Sequence, residues 1–166
     1  MLVLGIDCGN ECTGYGLVEL DSGQELRCID YGDITLSRET PLPDRLAAIF
    51  DQLSTLIEKH HPDRVAIEEV FYAVNVKSAL KLGQVRGVAM LAASLHKTYV
   101  AEYAPLRIKS AVVGYGRAEK QQVQVMVRSL LRLKEIPQPP DAADALAIAI
   151  CDLHTATTLS QQILVK

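Results

Sequence analysis

A chain of 166 residues with 49% hydrophobic and 22% charged side chains excludes the disordered and low-complexity classes, and a single domain over residues 1–166 is expected. The formal net charge of −3 hides an asymmetry: residues 1–76 hold 14 acidic against 5 basic side chains, residues 77–134 hold 2 against 11, and residues 135–166 hold 4 against 1. No apolar run approaches the roughly 18–20 residues that span a bilayer, no basic signal-like segment opens the chain, and the four cysteines form no CxxC pair, so a cytoplasmic protein with reduced thiols and no membrane partner is expected.

Leu2 to Asp7 is an apolar run ending in Asp-Cys-Gly-Asn, which reads as a strand entering a turn. Thr13 to Leu20 and Glu25 to Leu36 follow as strands around the hairpin residues Asp21-Ser22-Gly23. From Pro43 the period becomes helical, with Leu46, Ile49, Phe50, Leu53, Leu56 and Ile57 on one face, until His61-Pro62 stops it. Arg64 to Phe71 reads as a buried strand, 75–96 as a helix, Tyr99 to Tyr103 as a short strand, and 118–133 and 141–154 as helices separated by Pro137, Pro139 and Pro140. The order implies an α/β fold, a mixed five-stranded sheet flanked by helices. Residues 155–166 carry no readable pattern and are expected as a flexible tail.

Several carboxylates sit where burial penalises them. Asp7 ends an apolar strand, and Glu68-Glu69 end another; because successive strand residues point to opposite faces, only one of these glutamates shares a face with Asp7. Asp141 and Asp144 stand three apart at the start of an Ala/Leu/Ile helix, where an N-cap and a dipole-favoured first-turn acid would also account for them. Brought together, such acids are the oxygen donors that a hard cation such as Mg²⁺ takes, and four would hold two ions. The basic middle supplies stripes: Lys77, Lys81 and Gln84 on one helix, set away from Leu80 and Leu91, and Lys120, Gln124, Arg128 and Arg132 on another. Between them Gly114-Tyr115-Gly116-Arg117 leads to a helix N-terminus that would suit a phosphate, and Phe71-Tyr72 would suit stacking on unpaired bases. Cys8 and Cys12 have no ligand spacing with His60, His61, His96 or His154, which speaks against zinc.

Five blocks, GIDCGNECTGYGLVE, VAIEEVF, SALKLGQVRGVAM, KSAVVGYGRAEKQQVQVMVR and DAADALAIAI, occur in an order that closely resembles the RuvC Holliday-junction resolvase family from about residue 1 to 154. The resemblance implies a ribonuclease-H-like fold and a homodimer. It also implies a Mg²⁺-dependent endonuclease with one or two ions per subunit, Mn²⁺ substituting, that resolves four-way DNA junctions by paired symmetrical nicks in recombination and repair beside the junction-migrating RuvA–RuvB complex. The family's acidic positions match Asp7, Glu68, Asp141 and Asp144, leaving Glu69 a neighbour; its phosphate-contacting lysines match Lys109 and Lys120, and its base-contacting aromatic matches Phe71. With the stripes and loop above, Lys77, Lys81, Arg117 and Arg128 complete the expected DNA-binding set. One departure stands out: Cys8 replaces the family's usual proline, so oxidant sensitivity is expected.

Two other classes compete. Asp7 to Gly14 reads DxGxxxTG, like the first phosphate loop of actin-like and sugar-kinase ATPases, but such chains need a second DxG loop and two domains over roughly 300 residues. A non-catalytic junction-binding module would use the basic stripes alone. Cleavage separates it from a nuclease.

Overall fold

The computed structural model describes residues 1–9, 11–69 and 76–164, with side chains to residue 158. In chain order it contains β1 (Leu2–Asp7), β2 (Cys12–Leu20), β3 (Leu26–Thr35), α1 (Leu42–His60), β4 (Arg64–Glu68), α2 (Val76–Leu95), β5 (Tyr99–Tyr103), α3 (Pro105–Val113), α4 (Lys120–Leu130) and α5 (Pro140–Leu164). The sheet order is β3-β2-β1-β4-β5, antiparallel across β3, β2 and β1 and parallel across β1, β4 and β5. This is the expected mixed five-stranded sheet.

Three departures from the sequence expectation have local causes. Helix α3 was not anticipated, although Pro105 in its first turn and Gly114 just past its end, at φ 96°, are the usual asymmetric end signals. Helix α5 continues past residue 154 to Leu164. Helix α4 stops at Leu130, and Arg132, in a left-handed conformation, turns away to make two hydrogen bonds to Glu25 at 3.0 and 3.1 Å, so it leaves the basic stripe.

Alternation along the strands divides the core in two. Val3, Val18 and Ala66 face α3, α4 and α5, while Leu4, Ile6, Leu17, Val65 and Ile67 face α1 and α2. Helix α1 supplies Ile49, Leu53 and Ile57 to the second layer, and its end is closed by the His61 N–H donating to the Ile57 carbonyl at 2.8 Å. Helix α2 buries Val85, Ala89, Ala92 and Ala93, and leaves Leu80 and Leu91 exposed. These leucines are therefore surface residues, contrary to their reading as its inward side.

Helix α5 lies almost directly on the sheet. A Cβ at Gly5 would stand 2.1 Å from the Ala145 carbonyl oxygen, one at Gly14 2.1 Å from that of Asp141, and one at Gly16 2.7 Å from Leu146 Cγ. Glycine on β1 and β2 and alanine on α5 are what this approach requires. Further along α5, fully buried Asp152 accepts two bonds from Arg64, at 2.6 and 2.8 Å, and one from the Tyr103 hydroxyl at 2.7 Å. A buried carboxylate so satisfied holds the helix to β4 and β5. Gly5→Ala is expected to lower the unfolding free energy by about 3 kcal/mol, read from urea melts, because the helix must lift off its two nearest strands; an unchanged midpoint would mean that α5 yields freely.

Candidate active site

Parity fixes which carboxylates meet. Along β1, Val3, Gly5 and Asp7 face α5, and along β4 Ala66 and Glu68 do the same, so Asp7 and Glu68 share the α5 side of neighbouring parallel strands. The Gly14–Asp141 contact sets the first turn of α5 over the end of β1. As a result Asp7, Asp141 and Asp144 bring carboxylate oxygens within 4.8 Å of one another. Glu68 lines the same cleft, of about 190 Å³, with Asp7, Asp144, Lys109 and Lys120 and with walls formed by Ile108, Val123 and Ile148. Its carboxylate is not part of the three-aspartate cluster.

The electrostatics follow from that crowding. Asp7 is pushed up to about 7, first by burial and then by the charges of Asp144, Glu68 and Asp141, with Lys120 opposing. Glu68 is raised by burial and by Asp144, against Lys109 and Lys120. Asp144 is raised by burial, although its hydrogen bond to the Lys120 ammonium, 2.6 Å away, pulls it down. Carboxylates that repel one another, with oxygen as the only donor type, fit a hard divalent cation. The lysine at 2.6 Å supplies part of the positive charge such a group requires.

The other expected residues are more dispersed. Lys109 is half-buried in the cleft wall, while Lys77, Lys81, Arg117 and Arg128 are exposed on α2, before α4 and on α4. Phe71 and Tyr72 lie outside the described residues. The N-terminus of α4 is not a free phosphate site: Glu119 and Gln122 form a reciprocal capping box, with the Glu119 N–H donating to Gln122 Oε1 at 2.8 Å and the Tyr115 hydroxyl to the same oxygen at 2.9 Å. A carboxylate already occupies that helix end and would repel an anion. Cys8 points to the opposite layer from Asp7, is 8% exposed, and has a thiol pushed up to about 12 by burial. Burial and a small thiolate fraction leave Cys8 packed in the α1–α2 layer, where an oxidant reaches it poorly. Cys12 is more open, its thiol 3.6 Å from Asp33 Oδ2, and burial pushes it up to about 11.

Sequence reasoning passed over Arg86. Its Nε donates to the Glu68 main-chain carbonyl at 3.1 Å, and its guanidinium pairs with Glu102 on β5. The available signal was a basic residue next to Val85 on the inward side of α2.

The family model described as "Crossover junction endodeoxyribonuclease RuvC" matches residues 3–152. A crossover junction endodeoxyribonuclease RuvC from Koribacter versatilis is 60% identical over 161 residues, covering 97% of each chain. One from Acidobacterium capsulatum is 55% identical over 98% of each. Among solved structures, T. thermophilus RuvC in complex with Holliday junction substrate has a TM-score of 0.87 at 31% identity, covering 95% of this chain and 96% of that one. The yeast mitochondrial Holliday junction resolvase Ydc2, at 17% identity and a TM-score of 0.70 over 96% of this chain and 82% of that one, shares the fold.

The raised Asp7 carboxyl makes stability pH-dependent in metal-free protein. An acid whose folded pKa exceeds its unfolded value binds more protons when folded, so stability is fullest below about pH 4 and falls as pH rises to about 7. Asp7→Asn removes that loss. Its melting temperature with chelator is expected to exceed wild type by about 5 °C at pH 8 and to match it at pH 4; equal melting temperatures at both pH values would show that Asp7 is not crowded.

Proposed function

This chain belongs to the RuvC family of crossover junction endodeoxyribonucleases and has the ribonuclease-H-like fold of that family's solved structures, and we propose that it resolves four-way DNA junctions with Asp7, Glu68, Asp141 and Asp144 as the catalytic, cation-holding acids. The observation that carries the assignment is the convergence of carboxylate oxygens of Asp7, Asp141 and Asp144 within 4.8 Å, at a cleft that Asp7 and Asp144 line with Glu68, Lys109 and Lys120.

The ion is Mg²⁺, one or two per subunit with Mn²⁺ as substitute, and when bound it supplies a more acidic attacking water and stabilisation of the leaving oxygen. The protein's part is placement and charge. Asp7 reaches the cleft from the sheet, Asp141 and Asp144 from the helix above it, and Glu68 from the adjacent strand, so the donors converge from two rigid layers. Lys120 and Lys109 neutralise charge on the scissile phosphate from the α4 and α3 side. The apolar walls Ile108, Val123 and Ile148 keep the medium weakly screening, which strengthens both effects.

Around this centre the DNA-facing cations are Lys77, Lys81, Arg117 and Arg128, all exposed and all drawn from the basic middle third, with Phe71 reserved for the junction bases. The enzyme is a homodimer paired through α2, where Val76, Leu80, Leu91 and Leu95 are exposed and Gly83 and Gly87 have open space over them. Two-fold pairing places one centre on each of two opposing strands, which accounts for paired symmetrical nicks. Action in the cytoplasm beside RuvA–RuvB rests on family membership; among the described residues, no helix is long and apolar enough to cross a membrane.

Incubated with a four-way junction carrying a short mobile core, the protein is expected to make paired nicks with Mg²⁺ and none with chelator or on linear duplex. Asp7→Asn should abolish nicking while sparing or tightening junction binding, since a negative charge beside phosphate is lost. Junction binding without nicks under any divalent ion would favour the binding-module reading. Leu80→Glu should convert the dimer to monomer in sedimentation experiments, and a retained dimer would move the interface off α2.

A further inference from the structure

Glu68 is the one acid of the four that the contact of α5 with β1 and β2 does not fix. The β1–β4 ladder ends at Ile6–Ile67, one residue short of it, and β4 itself ends at Glu68. On the β5 side the Glu69 N–H donates to the Tyr103 carbonyl at 2.8 Å. The carbonyl of that same trans peptide belongs to Glu68 and points the other way, to the side where the ladder has ended. There Arg86 Nε donates to it at 3.1 Å.

The guanidinium is itself restrained. Arg86 follows buried Val85 on α2, its side chain is 19% exposed, and its Nη2 is paired with Glu102 on β5. A planar fork that bonds a main-chain carbonyl with one nitrogen and a carboxylate with another fixes two strands relative to a helix.

We propose that Arg86 is a positioning residue of the nuclease centre: clamped by Glu102, it holds the Glu68 carbonyl and thereby orients the Glu68 carboxylate into the cleft that it lines with Asp7 and Asp144. This rests on the reading of Glu68 as a member of the site. A residue that merely tied α2 to the sheet would affect stability and leave cation affinity alone.

The test uses full-length Arg86→Gln, Arg86→Lys, Glu102→Gln and Glu68→Gln. Mn²⁺ affinity of the DNA-free protein is measured by counting free Mn²⁺ in electron paramagnetic resonance, with kcat and KM on junction DNA beside it. Arg86→Gln is expected to weaken Mn²⁺ binding and lower kcat by about 10-fold or more, with KM within about twofold. Arg86→Lys should recover part of both losses, and Glu102→Gln should shift Mn²⁺ affinity the same way by a smaller factor. A lower melting temperature with wild-type Mn²⁺ affinity overturns the proposal. Should Arg86→Gln fail to fold, Glu102→Gln carries the test, and unchanged Mn²⁺ affinity there overturns it equally. Impaired Glu68→Gln beside unimpaired Arg86→Gln refutes the positioning role alone, whereas wild-type behaviour of Glu68→Gln removes Glu68 from the site and the proposal with it.

Discussion

The close approach of α5 to β1 and β2 is the constraint on which the rest of the molecule depends. Gly5, Gly14 and Gly16 leave no side chain between sheet and helix, and the alanines of α5 answer them. Main chain therefore meets main chain over these strands. One consequence is energetic, since packing at this separation fills the space with backbone and small side chains and leaves little room for repacking. The other is functional: the first turn of the helix is set over the end of β1, so the Asp7 carboxylate faces Asp141 and Asp144. Buried Asp152, tied to Arg64 and Tyr103, fixes the helix further along and keeps that first turn from sliding.

The site is thus a deliberate electrostatic conflict. Burial and mutual repulsion hold Asp7 near 7, well above the ordinary carboxylate range, and raise Glu68 and Asp144 as well. Among the described residues, Lys109 and Lys120 are the cations of the cleft, and they do not cancel the effect. A group arranged in this way gains from a divalent cation more than separated, solvated acids would, because the repulsion is already present in the fold.

Charge distribution along the chain maps onto this arrangement. The basic middle third runs through α2, β5, α3 and α4; its Lys109 and Lys120 line the cleft, while Lys77, Lys81, Arg117 and Arg128 are exposed on α2, before α4 and on α4. The acidic first third supplies Asp7 and Glu68 from the sheet, and the last segment supplies Asp141 and Asp144 from α5. Net charge alone would have argued against a nucleic-acid partner. Its segregation into acidic and basic segments along the chain explains why the sum is uninformative.

The sequence by itself determined the strands, the mixed α/β class and the inward face of α1. Apolar runs mark Leu2–Asp7 and the segment from Arg64 as buried strands that end in carboxylates, strand parity lets only one of Glu68 and Glu69 share a face with Asp7, and the helical period over Leu42–His60 marks the inward side of α1, because each pattern is local to one element. Carboxylates at the ends of apolar strands and at the start of an apolar helix made Asp7, Glu68, Asp141 and Asp144 candidates, and the resemblance carried by the five motif blocks matched the same four. Only the tertiary structure decided what each side chain meets. It left Glu68 outside the three-aspartate cluster, gave Lys120 to Asp144 and Arg132 to Glu25, buried Cys8, capped α4 with Glu119, and brought Arg86 to the Glu68 carbonyl. These outcomes depend on distances between elements far apart in sequence, and no periodicity within a single helix or strand encodes them.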